Sequence, residues 1–224
     1  RFSQRFGAYL TKETFHVRDK DGTKILRLAA SIETPITIHS CEDITTNGTW
    51  AADGTGATGL VKDTLYYYDG SSSLKFNLAA NQTTGYIQNS TMTAVDLSDE
   101  DEVGSLWVRI YFSKASVVSS VGLIWGSDTS NYWTGTNSTA PHDQSTFKNG
   151  WNVIRFTWDT ATETGTVVPS GIDYVRVTAN YTGAVATDIV RVDKITASLG
   201  KIYELEYYSN YMFQSSAGVW KENA

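Results

Sequence analysis

Aromatic rings and guanidinium groups recur at even spacings in several segments of this 224-residue chain. Trp107, Arg109 and Tyr111 form one set, and Trp151, Arg155 and Thr157 a second; Tyr174 with Arg176 and Arg191 with Asp193 complete the pattern. In an extended strand successive side chains point to opposite faces, so the members of each set share a face. Flat rings stack on the C–H faces of a sugar, while Arg and Thr bond its hydroxyls or carboxylates. Tyr132 and Trp133 lie in the turn-rich stretch Asp128 to Asn149, read as a long functional loop able to close one end of such a groove. The same pattern suits a face covered by the N-terminal arm, a loop or a neighbouring subunit, since large aromatic patches mark some contact. Arg109, Arg155 and Arg176 are equally placed as cross-strand partners of Asp193 or Asp173.

Other chemistry is sparse. Glycoside hydrolysis needs two carboxylates about 5 to 9 Å apart. Glu204 and Glu206 are the one pair spaced to share a strand face, but a third acid at the spacing of sandwich-fold glucanases is missing, so the chain is read as not an enzyme. Asp99 to Glu102 (DEDE) reads as a solvated turn, with a weak cation site as the alternative. His16, His39 and His142 lack any zinc-binding spacing, and Gly54-Thr55-Gly56 lacks the Lys and helix of a phosphate loop. Cys41, the single cysteine, rules out an internal disulfide and reads as an inert, partly buried thiol.

The elements that must position the aromatic and arginine residues are strands. Period two dominates, and helical spacing of apolar residues is nowhere sustained for three turns. The reading is all-β: an antiparallel β-sandwich. Strands are expected at Ser73 to Leu78, Thr84 to Gln88, Gly104 to Phe112, Ser120 to Trp125, Asn152 to Trp158, Ile172 to Ala179 and Ile189 to Ile195, with an eighth at Ile202 to Tyr208. Their second faces supply a core: Leu74, Phe76, Leu78, Leu106, Val108, Ile110, Phe112, Ile154, Phe156, Trp158, Val175, Val177, Val190 and Val192. Thr14 to Leu28 holds two alternating runs around Asp21-Gly22, a hairpin signal. Thr45 to Leu60, rich in Gly, Thr and Ala, reads as loop. The organisation is therefore an N-terminal arm with a hairpin over 1–38, a sandwich over 39–200, and a C-terminal strand and connector over 201–224. The formal charge is -6 and the 18 Lys and Arg are scattered, which argues against nucleic acid. No apolar run approaches the roughly eighteen residues of a membrane-spanning helix, so membrane insertion is not expected.

Cys41-Glu42, Trp50, Asp69 to Phe76 (DGSSSLKF), Gly150 to Trp158 (GWNVIRFTW) and Val190 to Ile195 (VRVDKI), in that order over about 155 residues, resemble the jelly-roll carbohydrate-binding modules of the galactose-binding-like type. Over almost its whole length the chain is similar to tailed-bacteriophage virion proteins that carry such a module, through Glu33 to Glu42, Asp96 to Ser98, Gly104 to Val108, Trp125 to Trp133, Ile172 to Val177 and Glu206 to Phe213. The resemblance implies a non-catalytic jelly-roll module of a virion, structural or adhesive, with other virion proteins or further copies of itself as partners and polysaccharide as a ligand. The alternative it implies is a carbohydrate-binding module of a secreted bacterial polysaccharide-degrading enzyme. In either case the groove would comprise Trp107, Arg109, Tyr111, Trp133, Trp151, Arg155, Tyr174 and Arg176. The family also implies a structural Ca²⁺ on Glu42 and Asp193, with backbone oxygens around Gly70 and Ser73. Lys194 stands where the family often has a second acid.

Overall fold

Two antiparallel sheets face each other across the apolar residues named above, every one of which is at most 3% exposed. The computed structural model describes residues 7–10, 14–18, 24–29, 35–101, 103–139, 146–184 and 188–199. It divides into two units, 1–34 with 198–224, and Pro35–Ala197.

In the first unit, β1 (Gly7–Leu10), β2 (Thr14–Arg18) and β3 (Lys24–Ala29) form an antiparallel sheet in the order β1-β2-β3. The pair β2 and β3 is the hairpin expected around Asp21-Gly22, with Phe15 opposite Leu28; the turn itself lies outside the described residues. The expected strand Ile202 to Tyr208, the connector and the pair Glu204 and Glu206 also lie outside them.

The second unit is the sandwich. One sheet runs β12 (Gly150–Thr157), β9 (Ser105–Phe112), β15 (Asp188–Ser198), β7 (Ser73–Leu78), β6 (Ala57–Asp63), and β4 (Ile36–His39) pairs with the end of β15. The facing sheet runs β13 (Thr162–Thr164), β11 (Tyr132–Asn137), β10 (Val118–Gly126), β14 (Tyr174–Tyr181), β8 (Thr84–Asn89), β5 (Trp50–Ala52). Burial of a large apolar side chain stabilises by about 1.5–3 kcal/mol, and the alternation of each strand directs one such set inward. Because β4 belongs to this sheet, the sandwich begins a few residues before the boundary read from the sequence.

Two sequence expectations are corrected. Thr45 to Leu60 is not all loop: it contains β5 and most of β6. An edge strand is paired on one side only, so β6 needs no apolar alternation; only Ala57 and Asp63 at its ends are buried, and its ladder is broken between Thr58 and Val61, where Gly59 adopts a φ of +64°. Asp128 to Asn149 is not one long loop. Asp128 accepts the Ser130 and Asn131 N–H groups and closes a tight turn, after which β11 pairs back on β10.

A candidate ligand-binding face

The outer face of the sheet containing β12, β9 and β15 carries Trp151, Val153 and Arg155 opposite Tyr111, Arg109 and Trp107 respectively. On β15 the adjoining residue is Arg191, with Lys75 of β7 opposite it. Sequence reasoning thus groups Trp107, Arg109, Tyr111, Trp151 and Arg155 in one place, as the structure does.

A feature it missed is the loop 64–72 between β6 and β7, which folds back over this face. Its anchors are specific. Asp63 Oδ1 accepts the Leu65 N–H at 2.9 Å, while Asp63 Oδ2 takes Arg191 Nε at 2.8 Å in a buried ion pair. The Ser73 hydroxyl donates to the Tyr66 carbonyl at 2.6 Å, and Asp193 Oδ2 accepts the N–H groups of Tyr68 and Asp69 at 2.6 and 3.0 Å. Glu42 accepts from the Ser71 N–H at 3.1 Å and from the Ser71 and Ser72 hydroxyls at 2.8 and 2.9 Å. So held, the loop lays Tyr66 against Tyr111 (ring centroids 6.0 Å apart) and Tyr68 against Trp151 (5.8 Å), with Tyr111 and Trp151 themselves 5.6 Å apart. Arg191 lies 4.4 Å from the Tyr66 ring and 4.6 Å from Tyr111, and Arg109 lies 5.9 Å from Tyr68. These are stacking and cation–π distances. Tyr66, Tyr67 and Tyr68 nonetheless remain 49%, 46% and 51% exposed. The available signal was the run Tyr66-Tyr67-Tyr68 itself, framed by Asp63 and Asp69-Gly70.

Three of the expected groove residues lie elsewhere. Tyr174 and Arg176 are on β14 of the opposite sheet, facing outward on the far side of the sandwich: Arg176 covers Tyr86 at 4.7 Å and the Tyr174 hydroxyl donates to Gln88 Oε1 at 3.3 Å. Alternation assigns the side of a strand but not which of two sheets the strand joins. Trp133 is in β11 rather than a loop and points inward, its ring 4.9 Å from Trp158 and 6.3 Å from Trp125 in the core. It cannot close a groove. The arginines read as cross-strand partners of Asp193 or Asp173 make other contacts: Arg109 Nη1 donates to the Thr196 hydroxyl at 2.9 Å, Arg176 covers Tyr86, and Arg155 Nε donates to Ser105 at 2.9 Å while its guanidinium lies 5.7 Å from the Trp107 ring. Glu100, expected in a solvated turn, is buried.

The residues expected around a metal do converge on the loop. Asp193 is fully buried; desolvation, with the nearby Glu42 and Asp69 charges, pushes its carboxyl above the usual range despite the two backbone donors. Its Oδ1 has no hydrogen-bond partner. Desolvation acts in the same direction on Glu42, but hydrogen bonds from Ser71 and Ser72 outweigh it and hold that carboxylate below its ordinary value. Gly70, at φ +72°, lets the loop pass Glu42: a Cβ there would lie 1.7 Å from Glu42 Oε1. Ser73 is engaged through its hydroxyl with the Tyr66 carbonyl. Lys194 pairs with Asp69 rather than with Asp193. Among the described residues no three His, Cys, Asp or Glu side chains gather as a metal centre. A cation here would therefore rest on two carboxylates and backbone oxygens, a hard-oxygen set that suits Ca²⁺, and the unpartnered Asp193 Oδ1 fits that requirement. Beside it, Cys41 is fully buried, and desolvation raises its thiol well above the ordinary value. The preceding His39 accepts the Cys41 N–H on Nδ1 at 2.9 Å and faces the Asn47 carbonyl through Nε2 at 3.1 Å; burial lowers its pKa.

No family model matches the chain, and no curated protein matches it. Among solved structures, the family 30 carbohydrate-binding module of a cellulosomal cellulase from Clostridium thermocellum aligns with a TM-score of 0.52 at 15% identity, over 73% of this chain and 96% of that one. Two further crystal structures of family 30 modules give TM-scores of 0.52 and 0.51, again at 15% identity and 73% of this chain, covering 88% and 99% of theirs. The likeness shows the fold: a β-sandwich jelly roll of the kind found in carbohydrate-binding modules.

Proposed function

We propose that the sandwich is a non-catalytic glycan-binding module, and that its binding face is the aromatic surface formed by Tyr66, Tyr67, Tyr68, Tyr111 and Trp151. The observation that carries this is the half-exposed tyrosine loop, held open over a sheet of Trp and Arg side chains by a buried ion pair and Asp193. Exposed rings fixed in place lose little conformational entropy on stacking against a sugar. Affinity electrophoresis of the wild-type chain through gels containing a panel of polysaccharides tests it. Retardation by at least one glycan, reduced about tenfold or more in Trp151→Ala and Tyr68→Ala while the melting temperature is kept, is the expected result. Equal mobility in every gel overturns it.

The carrier we propose is a tailed-bacteriophage virion protein, on the particle exterior, with the module in adhesion or assembly. Support comes from the sequence resemblance, which spans almost the whole chain rather than the sandwich alone. A module of a secreted polysaccharide-degrading enzyme is the second reading, favoured by the likeness to a cellulase module. Light scattering separates them in part: assembly through this chain predicts an oligomer, an enzyme-borne module a monomer.

A structural Ca²⁺ is part of the proposal. Glu42 and Asp193 would hold it with backbone oxygens around Gly70 and Ser73, and it would supply the positive charge that the buried Asp193 lacks, tying β15 to the tyrosine loop. Melting in Ca²⁺ against chelator is expected to differ by several degrees, and Asp193→Asn to abolish the difference. Identical melting curves in both buffers would remove the metal from the account.

A further inference from the structure

The charges on the binding face do not match those of the molecule. The chain carries -6 overall, yet the side chains that share this outer face include Arg155, Arg109, Arg191 and Lys75. Among the acids close to them, Asp63 pairs with Arg191, Asp69 with Lys194, and one oxygen of Asp193 with the backbone of the loop. Arg191 and Lys75 stand directly opposite each other across the β7–β15 ladder, and Asp63 offsets the Arg191 charge there.

Arg109 is the residue that turns this excess into a site. It lies near the middle of the face, opposite Val153, with the Tyr68 ring 5.9 Å away. Its Nη1 donates to the Thr196 hydroxyl at 2.9 Å and, at 3.5 Å, to the Lys194 carbonyl. Its Nε is buried without a partner, and among the described residues it makes no ion pair. Desolvation lowers its pKa and outweighs the charges of Asp69 and Asp193, neither of which is hydrogen-bonded to it. A guanidinium in that state, beside stacking rings, favours an anionic oxygen pair over a neutral hydroxyl, because the fork then gains two charge-assisted hydrogen bonds.

On the premise that this face binds glycan, we infer that its ligand is an anionic polysaccharide, with the carboxylate or sulfate of one residue on Arg109 and a sugar ring of the chain on Tyr68 and Trp151. Lys75 adds to the same field and steers the polyanion toward the face. Bulk charge cannot mimic this: a protein of net charge -6 is repelled by a polyanion unless one face is organised to receive it.

The test is affinity electrophoresis of the full chain against two anionic classes, polygalacturonate and alginate for carboxylates and carrageenan for sulfates, beside neutral xyloglucan, mixed-linkage glucan and agarose. The variants are Arg109→Met, Arg109→Lys and the more peripheral Lys75→Met, each checked by thermal melting. Expected are retardation confined to one or both anionic classes, an affinity that falls as NaCl is raised from 50 to 500 mM, and a loss of about tenfold or more in Arg109→Met. Arg109→Lys should recover part of that loss, and Lys75→Met should weaken binding less while flattening the salt dependence. Which anionic class retards the chain identifies the group on Arg109. Retardation by neutral glycans that is indifferent to salt and to Arg109→Met overturns the inference and leaves the glycan reading standing. No retardation by any of these glycans, anionic or neutral, overturns both.

Discussion

The two outer faces of the sandwich are built from the same residue types and do different things with them. On the β14 side, Tyr86, Tyr132, Tyr174 and Arg176 pack on one another: Arg176 lies 4.7 Å from the centre of the Tyr86 ring, Tyr132 meets Tyr174 edge-on at 6.2 Å, and Tyr174 is left only 3% exposed. There the rings close a surface. On the β9 side the strand residues form a floor, and a loop pinned by Asp63, Ser73 and Asp193 adds three tyrosines that stay half exposed. The alternation of rings and arginines therefore does not itself mark a binding face. What distinguishes the proposed binding face is a separate element that holds further rings above the sheet without filling it.

The comparison can be broken or sharpened by substitution. The largest effect is expected from Arg191→Met, which strands the Asp63 carboxylate in a buried position. Loss of one partner of such a pair costs about 3–5 kcal/mol, measurable by urea denaturation, and it should free the tyrosine loop and weaken glycan retention together. Next, Tyr174→Ala on the opposite face should cost about 3 kcal/mol as a large-to-small change at a buried ring, yet leave retention intact at temperatures well below melting. Trp151→Ala should do the reverse. If Tyr174→Ala abolished retention, the assignment of one face to packing and the other to binding would fall. Gly70→Ala should cost about 1–3 kcal/mol by denaturation, since alanine must adopt a φ of +72° and push Glu42 aside. The smallest effect concerns pH and both sheets at once, because His39 of one sheet meets the Trp50 indole of the other at 3.2 Å. Its pKa is lower folded than unfolded, so the unfolded chain takes up the proton first and stability falls as pH drops below about 6.5. A second proton on Nδ1 would confront the Cys41 N–H. Melting curves between pH 7.5 and 5 should show this decline in the wild type and less of it in His39→Gln.

Much of the fold was legible because period two is a local property. Leu106, Val108, Ile110 and Phe112 point inward wherever the strand finally sits, so the core emerged residue by residue. Strand partnership is not local, and Tyr174 and Arg176 were grouped with Trp107 and Trp151 although β14 and β9 belong to opposite sheets. Trp133 was misplaced for another reason: Thr134, Gly135, Thr136 and Asn137 resemble loop text, yet they form a ladder with Leu123 and its neighbours on β10. The loop tyrosines escaped notice because nothing near them in sequence shows that Asp193, 125 residues away, will fix Tyr68. Sequence distance likewise hides how Glu42, 29 residues before Ser71, reaches the same loop as Asp193. The residues of the site were visible, but the contacts that gather them were not.

Ile36 and Ala197 face each other as register partners at the end of β4 and β15. The polypeptide thus enters and leaves the sandwich at neighbouring points, like the two legs of a hairpin. Tension applied along the backbone from outside would pull on that doorway alone. It would peel a three-pair ladder one rung at a time instead of shearing the long strands, and the tyrosine loop would remain folded until the ladder had opened. On the proposed function, a domain mounted in this way would be gripped by its ligand without lying in the line of load.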